Sequence, residues 1–110
     1  MKTEEEIRKD LKEIRFYYLN YDMFRKAANV VGENRVVCLA EKYNEAMMLA
    51  PAKLYKLYVC LYLNGGTLKS VSYDLGYSRV YIEKSNKKLQ EYLYQYFNKD
   101  GGNEISPSLI

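Results

Sequence analysis

An all-α fold is predicted for this chain by three features of its 110 residues. Ile7, Leu11, Ile14, Tyr18 and Tyr21 recur in steps of four and three, the period of a helix that buries one stripe. Leu54, Leu57 and Leu61 form another such stripe, with Tyr55, Tyr58 and Tyr62 beside it. The stretch from Thr67 to Leu89, TLKSVSYDLGYSRVYIEKSNKKL, reads as two short helices meeting at a tight glycine turn. The expected architecture is a helical bundle of four to five helices with a C-terminal helix-turn-helix. Residues 1–97 are expected to form one domain, 1–50 holding the N-terminal helices and 51–97 the helix-turn-helix portion.

Thr3 followed by Glu4, Glu5 and Glu6 marks the first helix start, with Thr3 as cap and Glu6 closing a capping box. Flanking Arg8, Lys9, Asp10, Lys12, Glu13 and Arg15 are assigned to solvent or to a partner's charges. Two uses of the heptad seam are open. It packs on the chain's own later helices or it pairs with a second copy to give a homodimer. Its length of about two and a half heptads is short for a coiled coil, which favours the first.

Gly32, Glu33 and Asn34 interrupt this pattern, and a second helix is expected over 35–48, capped by Asn34, with Val36, Leu39, Ala40, Tyr43 and Met47 inward. Pro51 suits the first turn of a third helix, expected over 51–63. In the helix pair that follows, Thr67 caps the first member and Leu68, Val71 and Leu75 point inward. Small Ser72 stands where the helices approach, and Gly76 supplies the left-handed turn. Ser78 caps the last helix, whose buried stripe is Ile82, Leu89 and Leu93, and which extends through Tyr94, Tyr96 and Phe97. From residue 98 to 110 periodicity is lost and Gly, Ser and Pro gather, so a flexible tail is expected there.

The spacing of Leu75-Gly76-Tyr77-Ser78 to Ile82, with Val71 before and Leu89 after, resembles the C-terminal promoter-binding domain of bacterial sigma factors. It is more similar still to small phage-encoded sigma-like and ArpU-type late transcriptional regulators. The resemblance covers residues 54–93 and is loose in the N-terminal half. Ser85 departs from it, standing where the family pattern places an apolar core residue. What the resemblance implies is binding to double-stranded DNA, RNA polymerase as a partner, and a phage or prophage operon as the setting. The chain is too short for a complete sigma factor, so initiation on its own is not expected.

An outward set at the start of a second motif helix is what major-groove reading requires. Arg79, Tyr81, Glu83 and Lys84 are the candidate base readers; Lys87 and Lys88, with Lys69 and Ser70 at the groove edge, are candidate phosphate contacts, Val80 is a further outward member of the DNA-binding set, and Ser78 caps the reading helix. The planar fork of Arg79 matches the two acceptors of guanine. Tyr81 offers a ring to a thymine methyl, and Glu83 either accepts from a cytosine amino group or restrains Arg79. The charge supports the assignment: residues 67–89 hold five Lys and Arg against two Asp and Glu, while the whole chain carries a net +3.

Other functions find little footing. There is no histidine, no glycine-rich phosphate loop and no carboxylate pair on an apolar face, so no enzymatic activity, cofactor or metal is expected. Cys38 and Cys60 are read as small buried hydrophobes. Thirteen tyrosines without tryptophan invite a base-stacking use, but Tyr55, Tyr58, Tyr62 and Tyr92 recur at helical spacing and are assigned to helix packing, each hydroxyl reaching the surface. No apolar run approaches the ~20 residues that span a bilayer, and a soluble cytoplasmic protein is expected. Two further functions stand beside DNA reading: a packaging component of the small terminase type, and a protein-interaction module that has lost DNA binding.

Overall fold

The computed structural model describes residues 2–21 and 35–103. The chain is all-α, a helical bundle; among the described residues there are five α-helices and no strand. The order is α1 (Glu4–Leu19), α2 (Arg35–Met48), α3 (Ala52–Tyr58), a π-helical turn (Val59–Leu63), α4 (Leu68–Leu75) and α5 (Arg79–Asn103). The expected Asn34 cap and the interruption at Gly32 lie outside the described residues, as does the tail over 104–110.

The first helix starts as its sequence dictates. The Glu6 amide donates to Thr3 Oγ1 at 3.1 Å, and the Thr3 amide donates to Glu6 Oε1 at 2.8 Å. Ile7, Leu11 and Ile14 are completely buried, and the stripe closes at Tyr17 rather than at Tyr18 and Tyr21. Tyr18 is half-buried, and Tyr21, beyond the end of α1, is exposed. The seam faces inward onto the π turn, α2 and α5. These three side chains are therefore engaged within the chain's own core.

Asp10 corrects the assignment of the flanking charges to solvent. It is buried, accepting from the Tyr43 hydroxyl at 2.7 Å and from Lys2 Nζ at 2.8 Å. The hydroxyls of Tyr58 and Tyr92 likewise find partners within the protein, in part-buried hydrogen bonds. Tyr58 donates to Asn44 Oδ1 at 2.6 Å while the Asn44 amide donates to the Tyr18 hydroxyl at 2.9 Å, and Tyr92 donates to the Ala46 carbonyl at 2.8 Å. Tyr55, by contrast, is exposed. Cys38 and Cys60 are half-buried, not fully buried as expected.

The third helix also differs from expectation. Pro51 is its cap, and α-helical bonding stops at Tyr58. The Asn64 amide reaches back five residues to the Val59 carbonyl at 2.8 Å, leaving the Cys60 carbonyl to accept from the Gly66 amide at 2.9 Å. This wider turn still buries Leu61 and Tyr62. At the other end, α5 continues past Asn98 to Asn103 where a tail was expected. Asn98 holds that end, since its carboxamide accepts from the Lys2 amide at 2.9 Å and donates to the Lys2 carbonyl at 2.8 Å. Tyr43 adds to it through a ring contact with Phe97 at 4.8 Å.

Burial pushes the phenols of Tyr43, Tyr58 and Tyr62 upward, and for Tyr43 the bond to the Asp10 carboxylate adds to the effect. A phenol whose proton is held more tightly in the folded chain contributes its full stability below the ordinary value near 10 and loses it as the pH rises above. Urea denaturation is therefore expected to show a loss of stability as the pH rises beyond about 9.5, because unfolding releases the phenol protons that the folded chain retains. Asp10→Ala should cost about 1–3 kcal/mol by leaving the Tyr43 hydroxyl without an acceptor. In the Tyr43→Phe background the same change should cost clearly less, which a double-mutant cycle by urea denaturation measures.

Candidate nucleic-acid interface

The pair α4 and α5 is built from local chemistry. Thr67 and Ser70 cap α4 reciprocally, amide to hydroxyl, at 3.0 Å in each direction. Gly76 ends α4 at φ +76°, a left-handed conformation that a side chain disfavours. Ser72 ties the turn together. Its carbonyl accepts from the amides of Gly76 at 3.0 Å and Tyr77 at 3.1 Å, and its hydroxyl donates to the Tyr77 carbonyl. Smallness was the quality expected of Ser72, but its hydroxyl is what holds the turn. Ser78 then accepts from the Tyr81 amide at 3.1 Å and starts α5.

Packing fixes the pair on the bundle. Val71 is buried, with Leu68 and Leu75 half-buried, and α4 touches only the π turn and α5 among the described elements. Ile82, Leu89 and Leu93 of α5 are essentially inaccessible. Tyr62 donates to Asn86 Oδ1 at 2.6 Å, a tie between the π turn and α5 that the apolar pattern did not reveal. The Arg15 guanidinium of α1 donates to the Gly65 carbonyl at 2.8 Å and also reaches that of Gly66 at 3.4 Å, so it joins α1 to the loop leading into α4. Arg15 is thus another residue placed outward by its charge that works inside the structure.

The predicted site residues lie on the opposite side. Arg79, Val80, Tyr81, Glu83, Lys84, Lys87 and Lys88 are all exposed, as is Lys69 on α4. Residues 79, 83 and 87 and residues 80, 84 and 88 follow one another at four-residue steps, so together they make one continuous outer face about two turns long. The ion pairs among the described residues are Lys2–Asp10 and Glu13–Arg35, so Glu83 does not restrain Arg79 through a salt bridge. Two members of the predicted set are already occupied: the hydroxyls of Ser70 and Ser78 are engaged as helix caps. Ser85 is half-buried, so a polar residue is tolerated at the edge of the stripe.

Tyr77 was missed. It was read as part of the turn, yet its ring lies 4.5 Å from that of Tyr81, and both are exposed. Tyr73, on α4, is 87% exposed. The four-residue spacing of Tyr77 and Tyr81 was the available signal, hidden because Tyr77 precedes the helix.

Two glycines carry the geometry of this unit for different reasons. A Cβ on Gly76 would meet nothing within 4 Å, so Gly76→Ala should cost only the left-handed strain, about 1–2 kcal/mol. At Gly66 a Cβ would sit 2.8 Å from the Cys60 carbonyl oxygen and 2.7 Å from Val71 Cγ2. Gly66→Ala is therefore expected to destabilise more than Gly76→Ala, although only Gly76 has positive φ, and urea denaturation of the two variants checks the order.

No protein-family model, no curated protein and no solved structure matches this chain. The likeness to sigma-type domains accordingly rests on the residues between 54 and 93 themselves.

Proposed function

We propose that this protein is a sequence-specific reader of duplex DNA, a sigma-like transcriptional regulator of a phage or prophage operon, with α5 seated in the major groove. The observation that carries this reading is the two-sidedness of the first half of α5. Ile82 and Leu89 anchor it in the core, while Arg79 to Lys88 presents one exposed face with four cations and one carboxylate. Excess cations attract the phosphate backbone, and the fork of Arg79 supplies bidentate geometry for guanine. Lys87, Lys88 and Lys69 suit phosphates. One module of this size reads a short site, so useful affinity calls for a partner, and RNA polymerase is the one that the resemblance implies.

Selection of bound sequences from a random duplex pool at two salt concentrations tests the proposal without a known site. A shared motif that persists at the higher salt is the expected result; no enrichment at either salt would overturn it. On the selected site, Arg79→Ala should cost about 1–3 kcal/mol and relax preference at one base pair. Lys87→Ala should weaken all sequences alike and lower the slope of log affinity against log salt by about one. Binding measured over a salt series separates the two behaviours.

A further inference from the structure

We infer that Tyr77, Val80 and Tyr81 form a patch that reads thymine C5-methyl groups, so that the duplex site of this protein depends on thymine and not merely on A·T pairing. The inference rests on the DNA-reading proposal above and names what the first turn of α5 recognises.

At the start of α5, exposed apolar side chains stand beside the exposed Arg79. Val80 is 58% exposed, Tyr77 47% and Tyr81 40%. An apolar residue just before a helix cap usually folds inward against the fourth helical residue, here the buried Ile82. Tyr77 instead pairs its ring with Tyr81, centroids 4.5 Å apart and planes inclined by 33°. The backbone beneath is fixed, because Ser72 holds the amide of Tyr77 at 3.1 Å and also donates its hydroxyl to the Tyr77 carbonyl. Tyr77 is thus a positioning residue. Its tilted contact with Tyr81 restricts rotamer freedom that binding would otherwise have to freeze.

Exposed apolar side chains grouped on a rigid element offer a contact surface. Its surroundings decide the occupant. Arg79 adjoins the patch and Lys84 stands one turn after Val80, both exposed, so the partner must combine apolar points with dense negative charge. A major groove meets that description, since the thymine methyl is the one apolar group displayed on its floor, between two lines of phosphates.

The test repeats the duplex selection with two pools that differ only in carrying thymine or uracil, which removes the methyl and keeps the pairing. The alternating copolymers of dA·dT and dA·dU serve as fixed probes. A motif containing thymine in the first pool that is lost or moved in the second, with roughly four-fold weaker binding per methyl removed, is the expected outcome. Val80→Ala and Tyr81→Ala should shrink that methyl preference, Tyr77→Ala should reduce it in part, and Tyr77→Phe should keep it; circular dichroism melts confirm that each variant is folded. The same motif and affinity in both pools would overturn methyl reading while leaving DNA reading intact. No motif in either pool would overturn both. Variants that leave duplex binding untouched but abolish binding to purified RNA polymerase would also overturn the inference, by making the patch a protein-docking surface.

Discussion

A core built from tyrosine must find a partner for every hydroxyl that it buries, and this obligation organises the bundle. Each buried ring adds a large apolar surface, but an unpaired phenol would cancel much of the gain. The structure answers with polar groups at fixed depths: Asp10 for Tyr43, Asn44 for Tyr58 and Asn86 for Tyr62. No buried side-chain polar atom among the described residues lacks a partner. Because these bonds are directional, they fix the register between helices more tightly than apolar packing does. α1 is locked to α2 through Asp10, α2 to α3 through Asn44, and the π turn to α5 through Asn86.

The exposed face of α5 inherits its position from those bonds. Ile82, Leu89 and Leu93 give the helix an apolar seat, Tyr62 fixes its rotation at Asn86, and Arg15 secures the loop that leads into α4. Ser72 and Gly76 then set the angle of the turn. An exposed residue such as Arg79 gains geometric precision only from elements of this kind, since its own side chain has no partner to hold it among the described ion pairs. The N-terminal helices are in this sense part of the proposed interface although none of their residues was assigned to it.

Much of this was legible in the sequence, and the failures share a cause. Caps and turn residues act over three or four positions, so Thr3, Thr67, Gly76 and Ser78 could be read directly. The stripes of α2 and α5 were legible because their period is regular. Asp10 and Arg15 were placed outward because charge is usually solvated, and nothing local announces a partner such as Tyr43, which is 33 residues away. The length of α5 was hidden by Gly101 and Gly102, which end a helix on propensity but are overridden when the preceding turn is fastened to another segment. The outer face of α5 followed from subtraction of the buried stripe, whereas the pairing of Tyr77 with Tyr81 needed the turn geometry.

The clasp between Lys2 and Asn98 has a mechanical meaning. α5 is a single rigid bar, fastened near residue 98 to the first residues of the chain and presenting Arg79 at its other end, roughly 28 Å away at 1.5 Å per residue. With Ile82, Leu89 and Leu93 seated in the core along its length, the bar ties the first residues of the chain to the same rigid element that exposes Arg79.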